Sequence, residues 1–557
     1  ATGNWSNPNT WSAVACGGAP ATSIPTAIDD VVICATHTVT LNAASFCNNL
    51  TINNGGTLNL FTQDITINGA TLINNGGALQ DNTNNGTAIF VGTLTNNGIL
   101  SCSGPNTSFF EFRGNIINTG TFDLAGGGDT SPQVRFGTGT TSSIAITNNA
   151  STAMAFGFPN NGTCTISNNT TLTINSGGTG SVQLFGNEPS GGVIINTGAT
   201  LINNNTSGSL QTGRLTGAGT LTNNGFLNYI SPTAPSVATF NVSAPGNTFQ
   251  YAAGGTSTTR AGIYHHLVLA SSVSTVFGGA TTVNGNLTSS GIFNPNNFAL
   301  EIKGNWTCNG TFSEGTSTVT FSGTAAQTFS SFGPIALNNL VINNTATSIA
   351  DRRVTFPNNN VTVNTNLTLT NGRIVLTSPN IFTYEGSNLL TGSVGWIETP
   401  GTSIFRRTGT GTNFFYPVGD ANTQRGVRFA ESIAGGKSVR FTPTITPAIN
   451  GTNPAAGMWV ITTPTPASLA FSNVGGTANA AGSIQSLISG SWVAQTSSFA
   501  SPTYTSSAPL PSGTYTIFTS PTTYYSTGTG SWNSSIWATS EAGPNCSCNP
   551  ATVPNAQ

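Results

Sequence analysis

The chain has 557 residues, a formal net charge of −2 and only 5% charged residues, against roughly a quarter in an ordinary soluble protein. That balance excludes a basic footprint for nucleic acid and a polybasic membrane patch, and no apolar run approaches the ~20 residues of a membrane-spanning helix. Disorder is excluded as well, because 37% of the residues are hydrophobic and 31 are Phe, alternating with Thr and Asn rather than giving way to charge.

The chain opens on Gly3-Asn-Trp5-Ser-Asn-Pro-Asn-Thr-Trp11, followed by Cys16 and Pro25. Residues 1–47 are expected to form a Trp- and Cys-containing N-terminal cap module. No signal peptide precedes it, and Ala1 reads as a mature or excised start. The eight cysteines lack paired CxxC spacing, and only Cys34 has a histidine close by in sequence, His37, so neither zinc nor another cofactor is expected. Three of them, Cys16, Cys34 and Cys47, crowd this module, and Cys546 and Cys548 lie near the end of the chain. The clustering points to disulfides and an oxidising, extracellular setting. Cys34 pairs with either Cys47 or Cys16; spacing does not choose. Cys102, Cys164 and Cys308 have a second reading as small buried thiols.

From residue 48 to 375 one short phrase keeps returning. It reads Gly92-Thr-Leu-Thr-Asn-Asn-Gly98-Ile-Leu100, then Gly114-Asn-Ile-Ile-Asn-Thr-Gly120-Thr-Phe122, Gly219-Thr-Leu-Thr-Asn-Asn-Gly225-Phe-Leu227, Gly285-Asn-Leu-Thr-Ser-Ser-Gly291-Ile-Phe293 and Gly304-Asn-Trp-Thr-Cys-Asn-Gly310-Thr-Phe312. A period near 20, made of two short strands around an Asn-Asn-Gly turn, is the signature of a solenoid coil. Asn and Gly tolerate the left-handed conformation of a tight corner, and alternate Leu, Ile and Phe fill the interior. The prediction is a right-handed parallel β-helix, with corner Asn side chains stacked into ladders that satisfy otherwise costly buried amides.

After residue 375 the period stops, and longer strands appear, rich in aromatics and carrying five of the twelve arginines. A β-sandwich of antiparallel strands is predicted for 376–523. At 524–557 the opening returns: Gly530-Ser-Trp532 and Trp537, then Cys546, Cys548 and Pro554. This start of a second copy suggests a tandem array or head-to-tail joining, with Trp5, Trp11, Trp532 and Trp537 at the junction between repeats.

Ile263-Tyr-His-His-Leu-Val-Leu269 with Thr282-Val-Asn-Gly-Asn-Leu-Thr288, Ile404 to Asp420, and the Trp5/Trp11 opening followed by Asp29-Asp30-Val-Val-Ile33 resemble phrases of giant secreted repeat proteins of Bacteroidota. The resemblance implies modules of long cell-surface or gliding-type adhesins, exported by the type IX route with a separate C-terminal sorting domain. No sorting domain is visible in this sequence, and His265-His266 replace a usual polar-Asn pair.

Polysaccharide lyases and hydrolases also use parallel β-helices, and need clustered carboxylates beside a base. The solenoid acids, among them Asp64, Asp81, Glu111, Asp123 and Glu188, show no pair in a repeated register with a neighbouring base. Asp29-Asp30 reads as a turn that caps backbone amides rather than a calcium site. His265 and His266, adjacent on a strand, would point to opposite faces and could not chelate one metal; His37 reads as structural. Asp420 is expected to pair with Arg406, Arg407 or Arg425. Thr51, Thr66, Thr95 and Thr222 do not make the strict Thr-x-Thr ladder of a flat ice-binding face. The reading is therefore an all-β, non-catalytic structural and adhesive extracellular protein. Its expected partners are neighbouring copies of itself and glycans or abiotic surfaces, without nucleic acid or membrane insertion. A β-helix that binds or degrades polysaccharide, or an ice-binding solenoid, is the alternative.

Overall fold

The computed structural model describes residues 2–519 apart from 84, 104–107, 125–132, 158–162, 185–191, 357–358, 392, 409–410, 432–434, 448–452 and 475–481. Beyond 519 it describes the strands Tyr525–Ser526 and Trp537–Ala538. Among the described residues every regular element is a β-strand except one 3₁₀ turn, Pro8–Thr10. Two compact units divide the chain, Ala1–Asn294 and Pro295–Gln557.

The first unit is a parallel β-solenoid. Ser45–Cys47, Asp64–Ile67, Thr87–Phe90, Phe109–Phe112 and Gln133–Phe136 pair one above the next, all in parallel. Val31–Ile33, Leu50–Ile52, Thr71–Ile73, Leu94–Asn96 and Ile116–Asn118 form a second column. Thr38–Thr40, Thr57–Asn59, Ala78–Asp81, Ile99–Cys102 and Thr121–Asp123 form a third. A coil therefore holds three strands, not two. The repeated phrase covers two of them and their corner; the third, such as Thr87–Phe90, lies between phrases and has no fixed wording. Parallel pairing also begins inside the span expected to be cap, at Gly3–Asn4 and again at Val31–Ile33.

The glycine of the phrase has a different use from the one its sequence suggests. Gly291 does adopt a positive φ of +63°, which favours glycine. Gly98, Gly120 and Gly225 do not; there a Cβ would collide with backbone of the adjoining coil, at Gly77 and Asn74, at Gly98, and at Asn205 respectively. Close coil-to-coil approach, not corner dihedrals, requires glycine at these three positions.

Inside, alternate residues stack in like layers. Phe90, Phe112 and Phe136 lie at centroid distances of 5.2 and 5.7 Å in successive coils, each ring contributing about 1.5–3 kcal/mol of burial. One coil cannot bury this face alone, so each depends on its neighbours. The first Asn of the corner points inward and forms the expected ladder. Asn96 Nδ2 donates to Asn118 Oδ1 (2.8 Å), and Asn118 Nδ2 to Asn148 Oδ1 (2.8 Å). Asn203 donates likewise to Asn223 at 2.7 Å.

The second unit begins in the same way. Leu300–Ile302, Thr318–Phe321, Ile335–Asn343, Val361–Asn371, Ile381–Tyr384 and Ile404–Arg407 pair in parallel. Parallel pairing thus runs past residue 375; the change of texture there marks loss of Asn-Gly corners, not a change of sheet. The reversal comes at Ile404–Arg407, whose other edge takes Lys437–Thr442 antiparallel. Asn453–Thr462, Gly513–Thr519 and Ser483–Ile488 continue that sheet. A separate antiparallel sheet holds Phe414–Tyr416, Val427–Phe429, Leu469–Ser472, Thr503–Ser506 and Ser497–Ala500. Trp459 of one sheet meets Phe471 of the other at 5.0 Å.

Arg407 sits at this reversal with no exposed surface. Its guanidinium donates to the carbonyls of Asn388 (2.5 Å), Gly386 (3.3 Å) and Phe415 (3.4 Å). It lies 3.8 Å from the Phe414 ring centroid and 4.6 Å from that of Tyr384. Burial pulls its pKa down to about 10, which leaves it charged at neutral pH.

Candidate functional site

The opening module builds a cleft at the start of the first unit. Gly3–Asn4 pairs in parallel with the strand at Thr38–Thr40. Asn7 caps the 3₁₀ turn by accepting from Asn9 N–H at 3.0 Å, which brings Thr10 Oγ1 back to donate to the Asn4 carbonyl at 2.9 Å. A side chain at position 3 would run into that Thr10 hydroxyl, so the glycine before Asn-Trp has a steric reason. Trp5 is buried under Trp11, whose ring meets it edge-on at 4.8 Å and whose Nε1–H donates to the Trp5 carbonyl at 2.7 Å. Trp5 and Trp11 thus close one end of the coils, while Trp532, Cys546 and Cys548 lie outside the described residues. Trp537 falls on a two-residue strand, Trp537–Ala538, antiparallel to Tyr525–Ser526.

Cys34 bonds Cys16, 18 residues away. Cys47 is not a disulfide partner: it is a buried free thiol on the inward side of Ser45–Cys47. Alternation decides this, since Cys47 lies on the Ser45 side of the strand, opposite to exposed Phe46. Burial, and then the Asp30 charge, push its pKa up to about 12, so it is poorly reactive. Cys164 is a buried free thiol as well, and Cys102 and Cys308 are buried.

The disulfide pins the loop from residue 11 to 30 across the first coil and leaves a cleft of about 690 Å³ lined by Trp11, Val14, Ile24, Pro25, Val32 and His37, among others. Of its apolar lining, Val14 is 86% exposed and Val32 47%. Asp29 and Asp30 stand at its rim. Asp29 accepts from Thr26 N–H (2.8 Å) and Oγ1–H (2.6 Å); Asp30 accepts from Asn49 N–H (3.2 Å) and from the Asn48 and Asn49 amides. These bonds hold both carboxyls below the usual aspartate range.

Other acids are scattered. Asp81 is walled into its coil, accepting from Ser108 Oγ–H at 2.5 Å, and burial raises its pKa. Glu111 corrects the expectation that no acid shares register with a base. It pairs directly with Arg135 of the next coil and is bonded by both Arg135 and Arg113. The irregular 24-residue step between them conceals this alignment in the sequence. Asp420 takes Arg425, at 3.1 Å, from the three arginines considered. Among the described residues no group of three His, Cys, Asp or Glu converges as a metal site would require.

The histidine pair also differs from its strand reading. His265 occupies the corner between strands Gly262–Tyr264 and His266–Leu269, so the alternation rule does not apply and the two rings meet at 4.3 Å. His265 Nδ1 accepts from Gly246 N–H (3.2 Å) and His266 Nδ1 from Asn286 N–H (3.0 Å). Both rings therefore keep the proton on Nε2 when neutral. Burial, then the charge on His265, lowers the His266 pKa. A base whose folded pKa is lowered favours folding above its unfolded pKa of about 6.5. We expect the first unit to lose stability as pH falls below about 6.5, read as a lower melting temperature at pH 5 than at pH 7.5. The shift should be reduced in His266→Gln.

Part of the outer surface of the first unit is made of uncharged columns that the sequence did not disclose. Ser143, Thr171, Thr200, Thr220 and Thr239 stand in register over five coils. The neighbouring column is mixed: Ala145, Thr173, Ile202, Thr222 and Asn241. Thr51 and Thr95 alternate with Val32, Leu72 and Ile117, and Thr66 lies between Phe46 and Ile89. Steps of 28, 29, 20 and 19 residues hide the hydroxyl column from any fixed period.

No protein-family model, curated protein or solved structure matches this chain.

Proposed function

We propose that the chain is a structural and adhesive extracellular segment of a cell-surface fibre or stalk, without catalysis. The carrying observation is the in-register parallel pairing of coil on coil within the first unit. Each step along that direction crosses main-chain hydrogen bonds, backed inside by Asn ladders, so load is shared by many bonds at once. In this reading the solenoid is right-handed and the two antiparallel sheets joined through Trp459 and Phe471 form a β-sandwich. A disulfide at the capped end suits an oxidising compartment. The apolar cleft at Trp11, Val14 and Val32 is the joint with a neighbouring copy. Glycans or abiotic surfaces meet the uncharged outer columns.

Electron microscopy of native, unboiled material tests this. Long fibres with a regular axial repeat are expected, and charges introduced into the cleft (Val14→Asp with Val32→Asp) should shorten them. Isolated short particles at every concentration would overturn the fibre reading.

A further inference from the structure

The second outer face of the first unit carries a column of primary amides. Gln183, Gln211, Asn228 and Gln250 stand in register in four successive coils. They are joined in pairs: Gln183 Nε2–H donates to Gln211 Oε1 at 3.1 Å, and Gln250 Nε2–H to Asn228 Oδ1 at 3.2 Å. Beside this column runs another, of Phe226, Thr248 and His266. All seven side chains are partly exposed and lie on the outward side of their strands. No charged residue stands in either column between Ala155 and Val268.

From this arrangement we infer a binding track for a neutral polysaccharide chain lying along the coil direction. A primary amide has two N–H donors and two acceptor lone pairs, and each ladder bond uses only one of them. The remainder, with the Thr248 hydroxyl and the His266 Nε2–H directed away from its Asn286 bond, is a repeated set of neutral donors and acceptors of the kind sugar hydroxyls need. Phe226 adds an aromatic ring against which the apolar face of a pyranose packs. Coils advance by about 4.8 Å, close to the length of one pyranose, so successive sugars meet successive amides. Uronates and phosphates find no cation on this face, which selects for uncharged chains. The inference rests on the adhesive reading proposed above and names its ligand class.

Affinity electrophoresis of the full chain through gels containing hydroxyethyl cellulose or galactomannan, with polygalacturonate as the anionic comparison, tests it. Retardation by a neutral polymer, insensitive to salt, is expected. Gln211→Ala with Gln250→Ala should weaken it about tenfold, the equivalent of one or two net hydrogen bonds, and Phe226→Ala should do so independently. If the amides serve only the ladder, the double variant melts earlier while retardation is unchanged, and the track is overturned. Retardation by polygalacturonate alone, or by no polymer, overturns it too. Fibres in the microscope without retardation would sink this track and leave the fibre reading standing; retardation of isolated particles would do the reverse.

Discussion

Arg407→Ala should lower the stability of the second unit by roughly 3–5 kcal/mol, the range for deleting a large buried side chain, here with its hydrogen bonds. Two effects compete. Removing a guanidinium from the interior relieves a desolvation cost of several kcal/mol. Against that, truncation strips donors from the carbonyls of Gly386, Asn388 and Phe415 and empties the space between Phe414 and Tyr384. Each hydrogen bond lost costs about 1 kcal/mol net, and the cavity left by so large a buried side chain adds roughly 2–3 more, so the losses win. Arg407→Lys should fall between, because an ammonium lacks the planar fork that reaches several carbonyls while stacking on a ring. Calorimetry reads the outcome. An unshifted transition in Arg407→Ala would show that the reversal from parallel to antiparallel pairing is held by the strands alone.

The second large effect is expected at the centre of the buried Asn ladder. Asn118 has no exposed surface, accepts from Asn96, and donates to Asn148 and to the Gly120 carbonyl at 3.1 Å. Asn118→Ala removes all three bonds at about 1 kcal/mol each and leaves a small cavity, for a loss of roughly 3 kcal/mol in the first unit. The neighbours soften the blow only in part. Asn96 keeps a bond to the Thr121 carbonyl, and Asn148 keeps those to Thr152 and Ser181. Because the amides polarise one another, the Asn96→Ala, Asn118→Ala double variant should cost less than the sum of the singles. Hydrogen exchange should quicken first in the coils that carry residues 96, 118 and 148, since solenoid stability is a nearest-neighbour property. Uniform exchange with additive losses would mean that the ladder does not act as a unit.

Much of this architecture is legible in the amino-acid order, for a plain reason. Strand alternation and corner chemistry are local, so Leu94-Thr-Asn96 and Asn97-Gly98 announce an inward Leu and a tight corner without any knowledge of the partner coil. The same locality explains the cap: Gly3, Asn7 and Thr10 act on one another within eight residues. The Asn ladders followed from corner Asn recurring once per coil.

Register is where this legibility stops. Which residue stands above which depends on the length of every intervening loop, and those lengths vary from coil to coil. Glu111 over Arg135, the hydroxyl column ending at Thr239, and the amide column from Gln183 to Gln250 are all products of that variable spacing. The cysteine choice and the histidine contact also needed the structure, the first for the face that Cys47 occupies and the second for the corner at His265. Sequence alone determined an all-β chain of stacked coils with a Trp- and Cys-built cap; tertiary structure alone decided its lateral neighbours, because alignment across coils is set by three-dimensional pairing, which no local pattern encodes.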